Sequence, residues 1–167
     1  MLEGIRVKPL KRHFDERGSF TEAMRADWSD LLGEDKIVQA NLSMSYPGIV
    51  RAWHRHLRGQ VDYFLTIKGS LKTCAHDEEK QELEEIISTA HELRLIRTPG
   101  MYRHGFKVIG EEAALLLYFT KRLYDYENPD EERRPWNDPK VVPKKINGRS
   151  DDPRCNKPWD WFAPPHK

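Results

Sequence analysis

From Ile5 to Lys121 apolar and polar residues alternate in twos, and sustained spacing of three to four is scarce. Successive side chains of extended backbone point to opposite faces, so such a chain buries its apolar positions only by pairing strands into sheets. Turn residues interrupt the pattern at short intervals, and the spacing predicts strands over 5–10, 19–25, 37–43, 50–54, 62–68, 71–76, 83–89, 92–97, 106–109 and 113–121. Short strands so spaced suit a sandwich or barrel. Within 71–76 strict alternation predicts one face on the core and one in water, after a turn at Lys68-Gly69-Ser70. The one helix expected is 26–36, capped by Asp27 or Ser29 and ending near Gly33.

At 167 residues the chain is expected to form one domain, a barrel over about 5–122 with a tail over 123–167 packed on it. Twenty-eight basic against 27 acidic side chains leave a net charge of +1, so no global positive field recruits nucleic acid or a membrane surface. The longest apolar run, 113–119, is far short of the roughly 20 residues that cross a bilayer. Two cysteines, Cys74 and Cys155, and an N-terminus without an apolar leader predict a reducing, cytoplasmic setting.

After Lys121 eight prolines rule out regular strands, yet Trp136, Trp159, Trp161 and Phe162 stand among them. Side chains of that size are seldom left in water, so this Pro/Trp-rich tail is expected to wrap and pack. The acidic run 76–85 reads as an exposed connection or hairpin edge without a site, and His13, His76, His91 and His166 as surface or structural histidines.

Chemistry points elsewhere. In Arg51-Ala52-Trp53-His54-Arg55-His56 the period of two places Ala52, His54 and His56 on one face. Two imidazoles side by side in a barrel suit metal binding or proton transfer, and His104 is expected to open the strand that begins at Gly105-Phe106. Around these lie, in order, Asp15-Glu16-Arg17-Gly18-Ser19-Phe20-Thr21-Glu22, Gln39-Ala40-Asn41-Leu42-Ser43-Met44-Ser45, Gly48-Ile49-Val50-Arg51-Ala52-Trp53-His54, His104-Gly105-Phe106, Leu117-Tyr118, and Glu131 followed by Trp136-Asn137-Asp138-Pro139. This ordered set, over about residues 5 to 139, resembles the dTDP-4-dehydrorhamnose 3,5-epimerase family of cupins. The resemblance implies an all-β jelly-roll (cupin) barrel, a homodimer, no cofactor, and a nucleotide-diphosphate 4-keto-6-deoxy sugar in the barrel mouth.

A C4 ketone acidifies the hydrogens at C3 and C5, so a neutral imidazole can remove one and leave an enolate. By motif, His54 matches the family's base and Tyr118 its opposite-face proton donor. Arg17 and Arg51 match phosphate and sugar contacts, where a guanidinium clamps with paired hydrogen bonds. Glu22, Gln39 and Asn41 match contacts to base or sugar, His104 a sugar contact, and Glu131 a nucleotide contact at the rim. The family's aspartate that orients the base falls in the poorly matched tail, which leaves Asp15, Asp151 and Asp152 open.

The chain departs from the family at four places. Arg55-His56 replace Tyr-Gln after the base, Met101 replaces a glycine, the ending differs, and Asp62 stands where the family has a lysine whose cation stabilises the enolate oxygen. A carboxylate there repels developing negative charge, so another group must support the chemistry or the chemistry must differ. Three alternatives follow: a metal-dependent cupin using His54, His56, His104 and Asp62 or Gln60, a sugar 3,4-ketoisomerase, and a barrel that binds a nucleotide sugar without turning it over.

Overall fold

The computed structural model describes residues 1–164, so Pro165 and His166 of the tail lie outside the described residues. It is a nearly all-β jelly roll of two main sheets. One has the order β1 (Arg6–Pro9), β9 (Arg94–Pro99), β6 (Val61–Lys68), β11 (Ala114–Thr120), β4 (Gln39–Ser45). The other runs β12 (Glu132–Arg133), β5 (Val50–Arg55), β10 (Arg103–Ile109), β7 (Ser70–Asp77), β8 (Glu82–Thr89), β13 (Lys145–Ile146).

Three apolar layers hold the sheets. Phe64, Ile96 and Leu116 of the first sheet meet Leu71, Phe106 and Val108 of the second in the interior. Outside the first sheet, Leu31 and Leu32 of the short helix α1 (Ser29–Leu32) cover Val61, Tyr63, Leu65 and Leu95. Outside the second, Val141, Ile146, Cys155, Trp159 and Trp161 of the tail cover Trp53, Cys74 and Leu83. The central strands are therefore buried on both faces, which weakens the alternation in β6 and corrects the expectation for 71–76. Cys74 lies under the tail rather than in water.

The expected strand 19–25 stops at Phe20, because Gly18–Phe20 (β3) pairs only with His13–Asp15 (β2) in a hairpin of its own. The expected helix 26–36 shrinks to four residues, starting at Trp28 without a side-chain cap and stopped at Gly33. The tail, expected to hold no strands, adds two-residue strands to both edges of the second sheet between its prolines.

The acidic run is not a bare connection. Glu78 pairs with Arg55, Arg103 and Arg134, while Asp77 and Glu84 are buried. His76 beside them is buried, and neither ring nitrogen has a hydrogen-bond partner among the described residues.

No helix among the described residues is long and apolar enough to cross a membrane.

Candidate active site

A cavity of about 540 Å³ opens at one end of the barrel. Strand alternation supplies its walls: Gln39, Asn41 and Ser43 of β4 and Leu116, Tyr118 and Thr120 of β11 line one side, and Ala52, His54 and His56 the other. Backbones meet tightly behind it. A Cβ on Gly105 would lie 2.3 Å from Ala52 Cβ and 2.6 Å from the Arg51 carbonyl oxygen, so only glycine lets β10 approach β5 at the histidines.

His54, His56 and His104 form a cluster with ring centroids 4.2 to 5.6 Å apart around Asp62. One Asp62 oxygen stands 3.2 Å from Nε2 of His56 and 3.2 Å from Nε2 of His104. The Nδ1 of His104 faces the Tyr102 carbonyl at 2.9 Å and that of His56 the Asp130 carbonyl at 2.5 Å. A carbonyl oxygen only accepts, so each Nδ1 carries hydrogen and each Nε2 is aimed at Asp62. Gln60 donates to the other Asp62 oxygen at 2.8 Å.

Electrostatics separate the three imidazoles. Burial holds His54 well below the ordinary histidine pKa, and positive charge on His104, His56 and Arg133 pushes the same way against Asp62. For His56 burial also lowers the pKa, but the hydrogen bond and charge of Asp62 outweigh it and the net shift is upward. Burial would raise Asp62; hydrogen bonds and charge from His104 and His56 hold it below the usual carboxylate range instead. Tyr118 is pushed up by burial, then by Asp62 and Glu131, so its hydroxyl keeps its proton at neutral pH.

Of the residues matched by motif, His54, Tyr118, Gln39, Asn41, Arg51 and Glu131 line the cavity. His104 does not: it is fully buried, with its ring against His54 and its Nε2 at 3.2 Å from Asp62. Arg17 and Glu22 are also outside, because Arg17 sits on the exposed hairpin paired with Asp15 and Glu22 pairs with Arg25. None of the three open carboxylates joins the cluster. Asp15 is held by Arg17, Asp151 by Arg149 at the surface, and Asp152 by Arg154 under the tail. The carboxylate among the imidazoles is Asp62.

Sequence reasoning missed Thr120 and Ser43, which the period of two could have added from Tyr118 and Asn41. Arg122, Tyr124, Tyr126 and Arg133 also line the cavity, and no local pattern marked them.

The polysaccharide biosynthesis C-terminal domain family matches residues 13–132. Agl13 of Haloferax volcanii, described as a probable low-salt glycan biosynthesis epimerase, is 40% identical over 141 residues, covering 81% of this chain and 89% of that protein. SpsL, a spore coat polysaccharide biosynthesis protein of Bacillus subtilis, is 34% identical over 143 residues, 83% of this chain and 92% of its own. Among solved structures, the dTDP-6-deoxy-D-glucose-3,5-epimerase RmlC of Legionella pneumophila, in complex with dTDP-4-keto-L-rhamnose, superposes with a TM-score of 0.74 at 26% identity. That match covers 84% of this chain and 77% of that one. With the jelly roll, the ordered motifs and the histidine-and-tyrosine cavity in agreement, the chain belongs to the polysaccharide biosynthesis C-terminal domain family and to the dTDP-4-dehydrorhamnose 3,5-epimerase family of isomerases.

Proposed function

We propose that this chain inverts C3, C5 or both in a nucleotide-diphospho-4-keto-6-deoxy sugar, with His54 as base and Tyr118 as acid. One observation carries the reading: an unprotonated imidazole and a protonated phenol project from opposite sheets into one cavity. His54 takes the proton, the C–H pair becomes a ring C=C bond, and the carbonyl pair moves to oxygen as an enolate. Collapse of the enolate draws a proton from the Tyr118 hydroxyl on the other face, which leaves imidazolium and phenolate to be reset by solvent. Arg51, which donates to Ser45 Oγ at 2.9 Å and to the Met44 carbonyl at 3.4 Å, presents a guanidinium for the diphosphate or sugar.

The test is exchange in deuterated water with a dTDP-4-keto-6-deoxy sugar. Tyr118→Phe is expected to keep deuterium wash-in on the His54 face while inverted product falls about 100-fold. Equal loss of both would remove Tyr118 from the donor role.

Because the folded-state pKa of His54 is depressed, its base form persists as pH falls through 6.5 and is lost only in more acid solution. The expected wash-in rate is flat from pH 8 to about 6.5; an acid limb centred at or above 6.5 would contradict a buried base.

A homodimer accounts for the hairpin and the open edge strand. Phe14 and Phe20 on the hairpin, and Leu42 and Met44 on the outer face of edge strand β4, are all more than half exposed. In a dimer Arg17 and Glu22, outside the cavity of their own chain, are available to the partner's. Light scattering is expected to give twice 19.7 kDa, and Leu42→Glu with Met44→Glu a smaller mass. An unchanged mass in that variant would move the contact off β4. Two buried free cysteines suit a reducing cytoplasm.

A second reading rests on the cluster itself. The ligand atoms of His54, His56, Asp62 and His104 lie within 4.8 Å of one another, and two imidazoles have Nδ1 tied to carbonyls in the manner that orients metal ligands. These residues fit a divalent cation, which would supply Lewis-acid polarisation of the sugar carbonyl. Elemental analysis of the purified protein tests it: a stoichiometric ion favours this reading.

A further inference from the structure

Asp62 stands where the family has its enolate-stabilising lysine, so the cation that meets the C4 oxygen must come from elsewhere in the fold. Four arginines line the cavity: Arg51, Arg122, Arg133 and Arg134. Arg134 is committed to Glu78 at 2.8 Å and to Asp138 at 3.5 Å. Arg51 is held by Ser45 Oγ at 2.9 Å and the Met44 carbonyl at 3.4 Å.

Arg133 is placed differently. Strand β12 pairs with β5 so that Arg133 stands directly opposite His54 and Glu132 opposite Arg55. Directly opposed residues of an antiparallel pair share a face, with Cβ atoms about 4.5–5.5 Å apart. Arg133 therefore points to the cavity side with His54, while Glu132 points outward. There Glu132 takes ion pairs from Arg55, at 2.7 Å, and from the fully buried Arg103. The Trp53 and Arg134 amides close the register by exchanging hydrogen bonds at 3.1 and 2.9 Å. This clamp holds a two-residue strand, in a proline-bounded segment, against the strand of the base.

On this geometry we infer that Arg133 is the cation that stabilises the enolate oxygen, in the role the family gives to lysine. In the free protein its guanidinium is parked on Glu131 at 2.5 Å, and three-quarters of its side chain is exposed, so it is free to turn onto a ligand. When His54 removes the proton beside the ketone, negative charge develops on an oxygen one bond from the reacting carbon. A side chain rooted beside the imidazole reaches that oxygen. Arg133 donates N–H hydrogen bonds to it and transfers no proton, so the electron balance of the enolate step is unaltered.

The inference rests on His54 being the base, and the test keeps the two apart. In Arg133→Met, kcat for inversion and the wash-in rate are expected to fall about 100-fold, with KM and dTDP affinity within about 3-fold, the scale on which one oxyanion contact acts. Arg133→Lys is expected to restore about 10-fold of that loss, since a positive charge is what the oxygen requires. If Arg133→Met keeps its kcat while KM or dTDP affinity weakens, Arg133 is a phosphate contact and the inference fails. Persistent wash-in in His54→Gln would instead overturn the assignment of the base, whatever Arg133→Met does.

Discussion

His54→Gln is expected to lower deuterium wash-in at C3 and C5 by about 1,000-fold while dTDP affinity stays within about 3-fold. Glutamine fills nearly the same space and keeps hydrogen-bonding groups, but it cannot take a proton at neutral pH. The contact with the His104 ring at 4.2 Å is largely replaced in volume, so the loss reports chemistry and not collapse of the cluster. Circular dichroism and dTDP binding check the fold of the variant. Wash-in reduced less than about 10-fold would place the base on another group.

The largest expected effect on stability comes from the opposite side of the same strand. Trp161 is wholly buried, 4.8 Å from the Trp53 ring and 6.1 Å from Trp159, and its indole N–H donates to the Trp136 carbonyl at 3.1 Å. Trp161→Ala removes the centre of the apolar layer between tail and sheet, at a cost of about 3–5 kcal/mol. Set against a total of about 5–15 kcal/mol for an ordinary domain, that lowers Tm by roughly 10 °C. Calorimetry measures it, and a fall below about 2 °C would mean that the tail contributes little to folding. Trp53 lies next to His54 in sequence but on the other face of β5, so wash-in by the folded fraction is expected to persist.

How legible the fold was follows from range. Alternation within a strand is local, and it marked the strands from 37 to 121 and the face that carries His54, while Tyr118 was reached by its family motif. The hairpin 13–20 and the four-residue helix escaped because their limits depend on a missing partner strand and a missing cap, not on pattern. Of the tail aromatics expected to pack, Trp159 and Trp161 are buried whereas Trp136 and Phe162 stay exposed, and composition could not say that the buried pair covers Cys74 and the outer face of β7. That cover is why 71–76 is buried on both faces despite its alternation.

The site divides the same way. Motif order located His54, Tyr118, Gln39, Asn41, Arg51 and Glu131 on the cavity wall; periodic facing accounts for Gln39 and Asn41 together and for His54 with Ala52, but not for Arg51, which lies out of phase with His54, nor for Glu131, which precedes β12. His104, also matched by motif, lies off the wall and fully buried, beside the bulge between His104 and Phe106 and the tight approach at Gly105, neither of which a local pattern marks. The carboxylate that orients the base was left open among Asp15, Asp151 and Asp152, whereas the one among the imidazoles is Asp62, which the sequence offered only as a departure from the family and as a ligand of the metal alternative. Arg133 was invisible, since its place on the wall opposite His54 depends on the register of a two-residue strand, a property that no local pattern encodes.

The most direct test of the account is proton exchange by the wild-type protein after chelation, with its metal content verified as below stoichiometry, on a dTDP-4-keto-6-deoxy sugar in deuterated water. The account predicts deuterium at C3, C5 or both, together with inverted product, at the rate of the untreated protein. No incorporation, or incorporation only after a divalent ion is returned, would contradict a neutral His54 acting alone as the base.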